Sequence, residues 1–267
     1  MENKKGNVSF VSTPIGNLQD ITLRALEVLR TADCILCEDT RHSRILLDHY
    51  EIKKPLKPYH KFNETAMLAE IQTMLEEGKR ICVISDAGMP CISDPGSILV
   101  RFLQEQGYEY TLLPGACAFA TAFALSGFEA PVTFVGFLPG KTAEKKALIE
   151  RVSSGAVLVF YSSPHDVNRD LAFLYEALGA REIAVVKELT KLHESVQKGK
   201  LPLSLENPKG EYVLVVNRVE QTNRWNELSV EEHVRFYLDS GMSKMEAMKQ
   251  TAKDRGVSKS EIYQKFI

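Results

Sequence analysis

A chain of 267 residues in which 44% are apolar and 25% charged has the make-up of a soluble globular protein, which excludes disorder or a fibrous repeat as its main theme. That length can bury a core for two domains and an appendage, and a formal net charge of −2 neither announces nor forbids a nucleic-acid partner, because a local basic face can bind phosphate on an acidic whole. The start, Met1-Glu2-Asn3-Lys4-Lys5-Gly6, runs straight into a strand-like segment and no apolar stretch reaches the length of a leader or a membrane span, so a cytoplasmic protein with no membrane partner is expected.

In chain order the pattern predicts a strand at 8–12, a helix at 21–31, a strand at 35–37 and a helix at 40–49. A loop then leads to a helix at 64–77, a strand at 81–84, a helix at 97–106 and a strand at 110–113. Strands alternating with helices make a mostly parallel sheet with helices on its faces, hence an α/β fold. A polar or glycine-bearing loop follows each strand: Thr13-Pro14-Ile15-Gly16-Asn17, Glu38-Asp39-Thr40-Arg41-His42, the run from Ser85 to Gly96, and Pro114-Gly115-Ala116-Cys117. In open α/β sheets ligands bind beyond the carboxyl ends of strands, so these loops mark the rim to watch.

The apolar run 118–126 reads as a helix bridging to a second set of strands at 132–137, 156–161, 183–186 and 212–216, with helices at 142–152 and 167–177 and Gly179 as a C-cap. Past Asn217-Arg218 the pattern turns helical, with capping boxes at Ser229/Glu232 and Ser258/Glu261. This tail is locally basic through Lys244, Lys249, Lys253, Arg255, Lys259 and Lys265. The expected division is an N-terminal α/β domain at 1–117, a second α/β domain at 118–222 and a C-terminal helical appendage at 223–267.

Of the loops, Ser85-Asp86-Ala87-Gly88-Met89-Pro90-Cys91-Ile92-Ser93-Asp94-Pro95-Gly96 is the most telling. Gly88 and Gly96 permit backbone angles that a Cβ opposes, while Pro90 and Pro95 fix φ, so the run reads as a rigid cup rather than a mere turn. Neither GxxxxGK[ST] nor GxGxxG follows a strand, which disfavours ATP and NAD. Glu38, Asp39 and Asp86 at strand ends favour a neutral or cationic ligand, although Asp39 and Thr40 serve equally well as helix caps. The five cysteines, Cys34, Cys37, Cys82, Cys91 and Cys117, mostly sit in apolar runs and read as reduced core thiols. Cys34-x-x-Cys37 has no second pair or nearby paired His, which argues against a metal site. The charged run Lys187 to Glu194 reads by itself as a solvated face, and His165 as a capping or surface residue.

Together these segments resemble a known family. Ser12-Thr13-Pro14-Ile15-Gly16-Asn17-Leu18, Glu38-Asp39-Thr40-Arg41-His42-Ser43, the loop from Ser85 to Gly96, Gly136-Phe137-Leu138-Pro139, Ser163-Pro164-His165 and Glu188-Leu189-Thr190-Lys191 stand in the order seen in ribosomal RNA small subunit methyltransferases I, of the tetrapyrrole methylase superfamily. The likeness runs over essentially the whole chain, including Ser258-Lys259-x-Glu261-x-Tyr263. It implies a class III methyltransferase: two α/β domains around a cleft for S-adenosylmethionine, a small C-terminal helical domain, and usually a homodimer. The implied reaction is 2′-O-methylation of a cytidine ribose, cytidine 1402 of 16S rRNA, in the decoding region of the small ribosomal subunit.

By the same resemblance Pro14 is the first-loop cofactor contact, Ala87, Gly88 and Met89 are a backbone bed, and Ile92 is an apolar wall. Cys117 and Ala118 face the methionine part or the adenosine, while Ser162, Leu189 and Tyr212 line the adenine side. The chain departs from the family where Ala116-Cys117-Ala118 replaces Pro-Ser-Ala, at Ser162 where a Glu is common, and at Asp166 and Lys187 where Arg is common. Lys187 therefore lacks a bidentate grip.

Methyl transfer from a sulfonium needs alignment and a proton acceptor but no metal. Glu38 or Asp39 is the first candidate for that acceptor or for orienting the hydroxyl, with Lys187, Glu188, Lys191 and His193 second. The basic tail with Arg41, Arg44, Lys141, Lys145 and Lys146 is expected to contact RNA phosphates. A tetrapyrrole-precursor C-methyltransferase and a non-catalytic ribosome-assembly factor are the alternatives, the latter separable by titration with S-adenosylmethionine.

Overall fold

The central strands of the first sheet are short, largely apolar and mostly buried runs, the pattern of a parallel sheet covered by helices. The computed structural model describes residues 6–153, 155–218, 225 and 228–266; Met1 to Lys5, the boundary expected at 222/223 and the Lys265 side chain lie outside them. Strands β1 (Asn7–Val11), β2 (Cys34–Cys37), β3 (Leu56–Pro58), β4 (Arg80–Ile84) and β5 (Glu109–Leu113) pair in the order β3-β2-β4-β1-β5. All four pairings are parallel. Helices α1 (Leu23–Thr31), α2 (Thr40–His49), α3 (Glu64–Glu76) and α4 (Ser97–Gln106) connect them.

One face of the sheet packs Val8, Phe10, Leu36 and Val83 against Ile71, Leu75, Leu99 and Leu103 of α3 and α4. The other packs Ile35, Cys82 and Ile84 against Leu26 and Leu29 of α1 and Leu47 of α2. Cys34 belongs to the first cluster and Cys37 to the second, as strand alternation demands, so the CxxC pair points to opposite faces. All five cysteines are free, and burial pushes the thiol of Cys82 up to about 12 and that of Cys91 to about 11. Strand order sets the loops after β2, β4 and β1 side by side at one end of the sheet.

The second sheet runs β6-β7-β10-β8-β9, from β6 (Val132–Phe137), β7 (Val157–Ser162), β8 (Glu182–Lys187), β9 (Ser195–Lys200) and β10 (Tyr212–Val216). Only β6 and β7 are parallel. Helix α5 (Ala118–Ser126) covers one face with Ala122 over Val157, Val159, Val186, Val213 and Val215. Residues of α6 (Thr142–Val152) and α7 (Val167–Leu178) cover the other, among them Ile149, Leu171 and Leu174. Gly179 is the C-cap of α7 at φ 74°.

Two strands escape the sequence pattern. Short β3 lies in what reads as a loop, and β9, Ser-Val-Gln-Lys-Gly-Lys, is a largely exposed edge whose lysines follow no apolar alternation. Residues 1–218, with both sheets, form one compact unit and 219–267 a second.

The second unit contains α8 (Val230–Asp239), α9 (Lys244–Arg255) and α10 (Lys259–Phe266) around Val234, Ala247, Met248, Ala252 and Ile262. Capping boxes at Ser229/Glu232 and Ser243/Glu246 open α8 and α9, the second of them not anticipated. Ser258 and Glu261 bond reciprocally at the start of α10. Arg255 donates to the carbonyls of Trp225, Leu228 and Ser229 and to His233 Nδ1, so this basic residue of the tail holds its own unit together. Among the described residues no helix is long and apolar enough to cross a membrane.

Candidate active site

Within the first unit, the carboxyl ends of β1, β2 and β4 and the strand ends of the second sheet enclose a cavity of about 500 Å³, of a size suited to a small molecule. The loop from Ser85 to Gly96 forms much of one side. Gly88 sits at φ 85° and Gly96 at φ 131°, and Cys91 and Ser93 also take left-handed angles, 70° and 67°. Non-glycine residues there cost conformational energy and recur at binding sites. Two anchors hold the strained loop. Gly88 exchanges both backbone hydrogen bonds with Thr13, at 2.8 and 3.0 Å, and buried Glu64 accepts from the Gly96 N–H at 2.7 Å and the Tyr59 hydroxyl at 3.0 Å.

Four carboxylates line the cavity, Glu38, Asp86 and Asp94 on the side of the first sheet and Glu211 on the side of the second. The Asp39 N–H donates to Asp86 Oδ1 at 3.2 Å, tying the loop after β2 to that after β4. Burial, then the neighbouring Asp86, raises the Glu38 carboxyl above its ordinary range. Burial, then Glu38, pushes Asp94 up to about 7. A cluster that gathers negative charge in a half-buried recess welcomes a cation.

The remaining walls are largely apolar. Ile15 and Ile92 come from the first sheet's loops; Val186, Leu189 and Val213 from the second sheet; Cys117 and Ala118 from the start of α5. Leu189 lies between Glu188 and Thr190, at φ 51° and 63°, so a tight turn delivers it to the wall. Tyr161 accepts a hydrogen bond from the Phe119 N–H at 3.2 Å, and burial raises its hydroxyl to about 12, fixing it as neutral.

Of the residues expected to contact a cofactor, Ala87, Gly88, Met89, Ile92, Cys117, Ala118, Ser162, Leu189 and Tyr212 line this cavity, and Pro14 does not. The Gly88 amide is committed to Thr13, and the Ser162 hydroxyl donates to Asp170 at 2.7 Å, so the free edge of the bed is narrower than expected. Of the catalytic candidates only Glu38 lines it. Asp39 instead caps α2, accepting from Arg41 N at 2.8 Å and from its guanidinium at 2.7 Å, and the guanidinium holds its carboxyl well below the usual range. Lys187 is half-buried in the sheet, outside the lining, and pairs in register with Tyr212 and Ser195.

Lys191 bridges Glu188 and Glu211 at 3.0 Å each. His193 is exposed. Asp94 and Glu211 were missed as lining residues, Asp94 because nothing in its spacing distinguishes it from a loop-shaping Asp before proline. Among the expected phosphate contacts, Arg44 is exposed, Arg41 pairs with Asp39, Lys141 with Glu144 and Lys146 with Glu176, and half-buried Lys145 pairs with Asp170 at 2.8 Å.

Residues 7–203 match the model of the tetrapyrrole (corrin/porphyrin) methylases. The chain is 41% identical to the ribosomal RNA small subunit methyltransferase I of Halalkalibacterium halodurans, covering 97% of this chain and 94% of that protein, and 39% identical to that of Bacillus subtilis over 98% and 94%. The Thermotoga maritima enzyme of the same name is 40% identical and matches along 100% of its own length but 80% of this chain.

Among solved structures, uroporphyrin-III-C-methyltransferase from Thermus thermophilus superposes with a TM-score of 0.58 at 21% identity, covering 84% of this chain and 96% of that one. A cobalt precorrin-4 methyltransferase gives 0.58 at 16%, covering 79% and 94%. At such identities these two show the fold alone, and the class III α/β architecture expected from the sequence is borne out. The chain therefore belongs to the ribosomal RNA small subunit methyltransferase I family, within the tetrapyrrole methylases.

Proposed function

We propose that this protein is an enzyme that transfers the methyl group of S-adenosylmethionine to the 2′-hydroxyl of a cytidine ribose in small-subunit ribosomal RNA, acting in the cytoplasm. The observation that carries the reading is a cavity with apolar walls and four carboxylates, in a chain of this family. The donor set suits the cofactor: Ile15, Ile92, Leu189 and Val213 offer apolar surface to adenine and methylenes, Glu38, Asp86 and Asp94 offer negative charge to a sulfonium, and no glycine-rich phosphate cradle is needed.

When bound, S-adenosylmethionine supplies an already activated methyl electrophile. The chain's residues then have three tasks. The anchored loop from Ser85 to Gly96 and Leu189 fix the position of the bound molecule, because near-attack alignment accounts for much of such a rate enhancement. The apolar walls exclude water. Glu38, half-buried and with a raised carboxyl pKa, orients the ribose hydroxyl and accepts its proton, whereas Asp39, capping α2 with its pKa held low by Arg41, is too weak a base.

RNA is drawn in by the exposed cations Arg44, Lys244, Lys249, Lys253 and Lys259. A homodimer is supported by edge strand β5, where Tyr110 and Leu112 lie open in a parallel sheet that normally buries both faces. Calorimetric titration with S-adenosylmethionine, followed by mapping of ribose methylation on small-subunit RNA, tests the reading. Failure to bind, or a methyl found on a base, overturns it.

A further inference from the structure

Beside the donor cavity lies a second recess of about 530 Å³ that the proposed transfer leaves without a role. The two meet at Phe137 and Ser163, which line both. Phe137 ends β6 with 60% of its surface exposed, and its place is set by the backbone. The register of β6 against β7 slips between Phe134 and Gly136, and Gly136 takes φ 78°. A bulge of this kind bends a strand and re-aims the side chain beside it. The kink is locked, because a Cβ on Gly136 would meet the Ser93 hydroxyl at 3.3 Å in addition to the strained φ. Tyr161 steadies the ring from the side, at 5.5 Å and 64°.

The recess itself is polar, and its charges come in pairs. Lys145 is held by buried Asp170 at 2.8 Å and packs over Phe173, and Arg169 pairs with Asp166 at the open rim. Three carboxylates, Asp166, Asp170 and Glu176, face two cations, Lys145 and Arg169, so the recess does not attract phosphate. It instead offers donors and acceptors side by side, the complement of a flat heterocycle whose edge carries both. An exposed aromatic face next to such an edge-reading pair is how single-stranded RNA bases are held.

We propose that Phe137 is the stacking platform for a nucleobase of the RNA substrate, whose edge is read in the recess by Arg169 and Asp166 while its ribose faces the donor cavity. The inference rests on the methyl-transfer reading of that cavity.

The test uses the full chain, unmethylated small-subunit RNA and S-adenosylmethionine. Phe137→Leu keeps apolar bulk but removes the π face; it is expected to raise KM for RNA about tenfold or more, while Phe137→Trp restores it to within about threefold. Arg169→Gln, at an exposed position away from the donor cavity, is expected to raise KM for RNA with no change in S-adenosylmethionine affinity. Wild-type KM in Phe137→Leu, or a loss of RNA affinity in Arg169→Gln matched by an equal loss of donor affinity, overturns the inference alone. Wild-type protein that binds no S-adenosylmethionine overturns the cavity's reading and this inference with it.

Discussion

Replacing Asp94 by asparagine removes the carboxylate that burial and Glu38 push up to about 7 from an ordinary 3.8. Between those two values the folded protein holds a proton that the unfolded chain has released. Wild-type stability therefore falls as pH rises through this window and is flat above it. At 1.36 kcal/mol per pH unit, discounted for partial exposure, the wild type is destabilised by about 2–4 kcal/mol at pH 8 relative to pH 4. Asp94→Asn, a mimic of the neutral acid, escapes that cost, so urea midpoints of the two proteins should diverge above pH 4 and run parallel above about pH 7.

Ligand binding follows the opposite trend. A sulfonium favours ionised Asp94, of which about a tenth remains at pH 6, so the Kd for S-adenosylmethionine should be about tenfold weaker at pH 6 than at pH 8. S-adenosylhomocysteine, whose sulfur is neutral, should show a shallower slope, and Asp94→Asn should flatten the slope for both. Calorimetry at four pH values decides it. A wild-type Kd that is constant from pH 6 to pH 8, or a slope that persists in Asp94→Asn, refutes the reasoning.

Glu38→Gln is expected to lower kcat by about 100-fold or more with donor affinity little changed, whereas Asp39→Asn should leave kcat within about threefold; single-turnover methylation of small-subunit RNA checks both. Glu64→Ala strands the Gly96 N–H and the Tyr59 hydroxyl in the interior and should cost about 2–5 kcal/mol, lowering Tm by about 5–15 °C, with Glu64→Gln losing less than half as much by calorimetry. Ending the chain at Arg218 should leave donor affinity intact and raise KM for ribosomal particles. The compact first unit supports this. Unchanged KM would deny the tail a role in RNA binding.

The sequence pattern carries most of the fold because its strands are continuous apolar runs between helices with clear ends, such as Ser97–Gln106, Ala118–Ser126 and Thr142–Val152, whose observed bounds equal the expected ones. It fails at β9, where strand pairing with β8 rather than side-chain burial makes the strand, and at β3, which is three residues long. In the site, loop residues beside a strand end lie together because topology forces them to, so most of the cavity lining is legible. Division of roles within a loop is not: Glu38 and Asp39 are adjacent and chemically alike, and only the Arg41 guanidinium and the cap of α2 tell them apart. Likewise Lys145 looks like a surface cation until the Asp170 carboxylate is found beneath it.

That carboxylate has a consequence for how such an enzyme can change. Asp170 takes the Ser162 hydroxyl on the side of one cavity and the Lys145 ammonium on the side of the other, at 2.7 and 2.8 Å. A substitution that retunes either cavity through Ser162 or Lys145 leaves a buried charge missing a partner and is felt across the wall. Acquisition of a new substrate by drift in the recess is thereby coupled to retention of the old donor. Routes to new specificity run through the rim, at Arg169 and Asp166, where residues can vary one at a time.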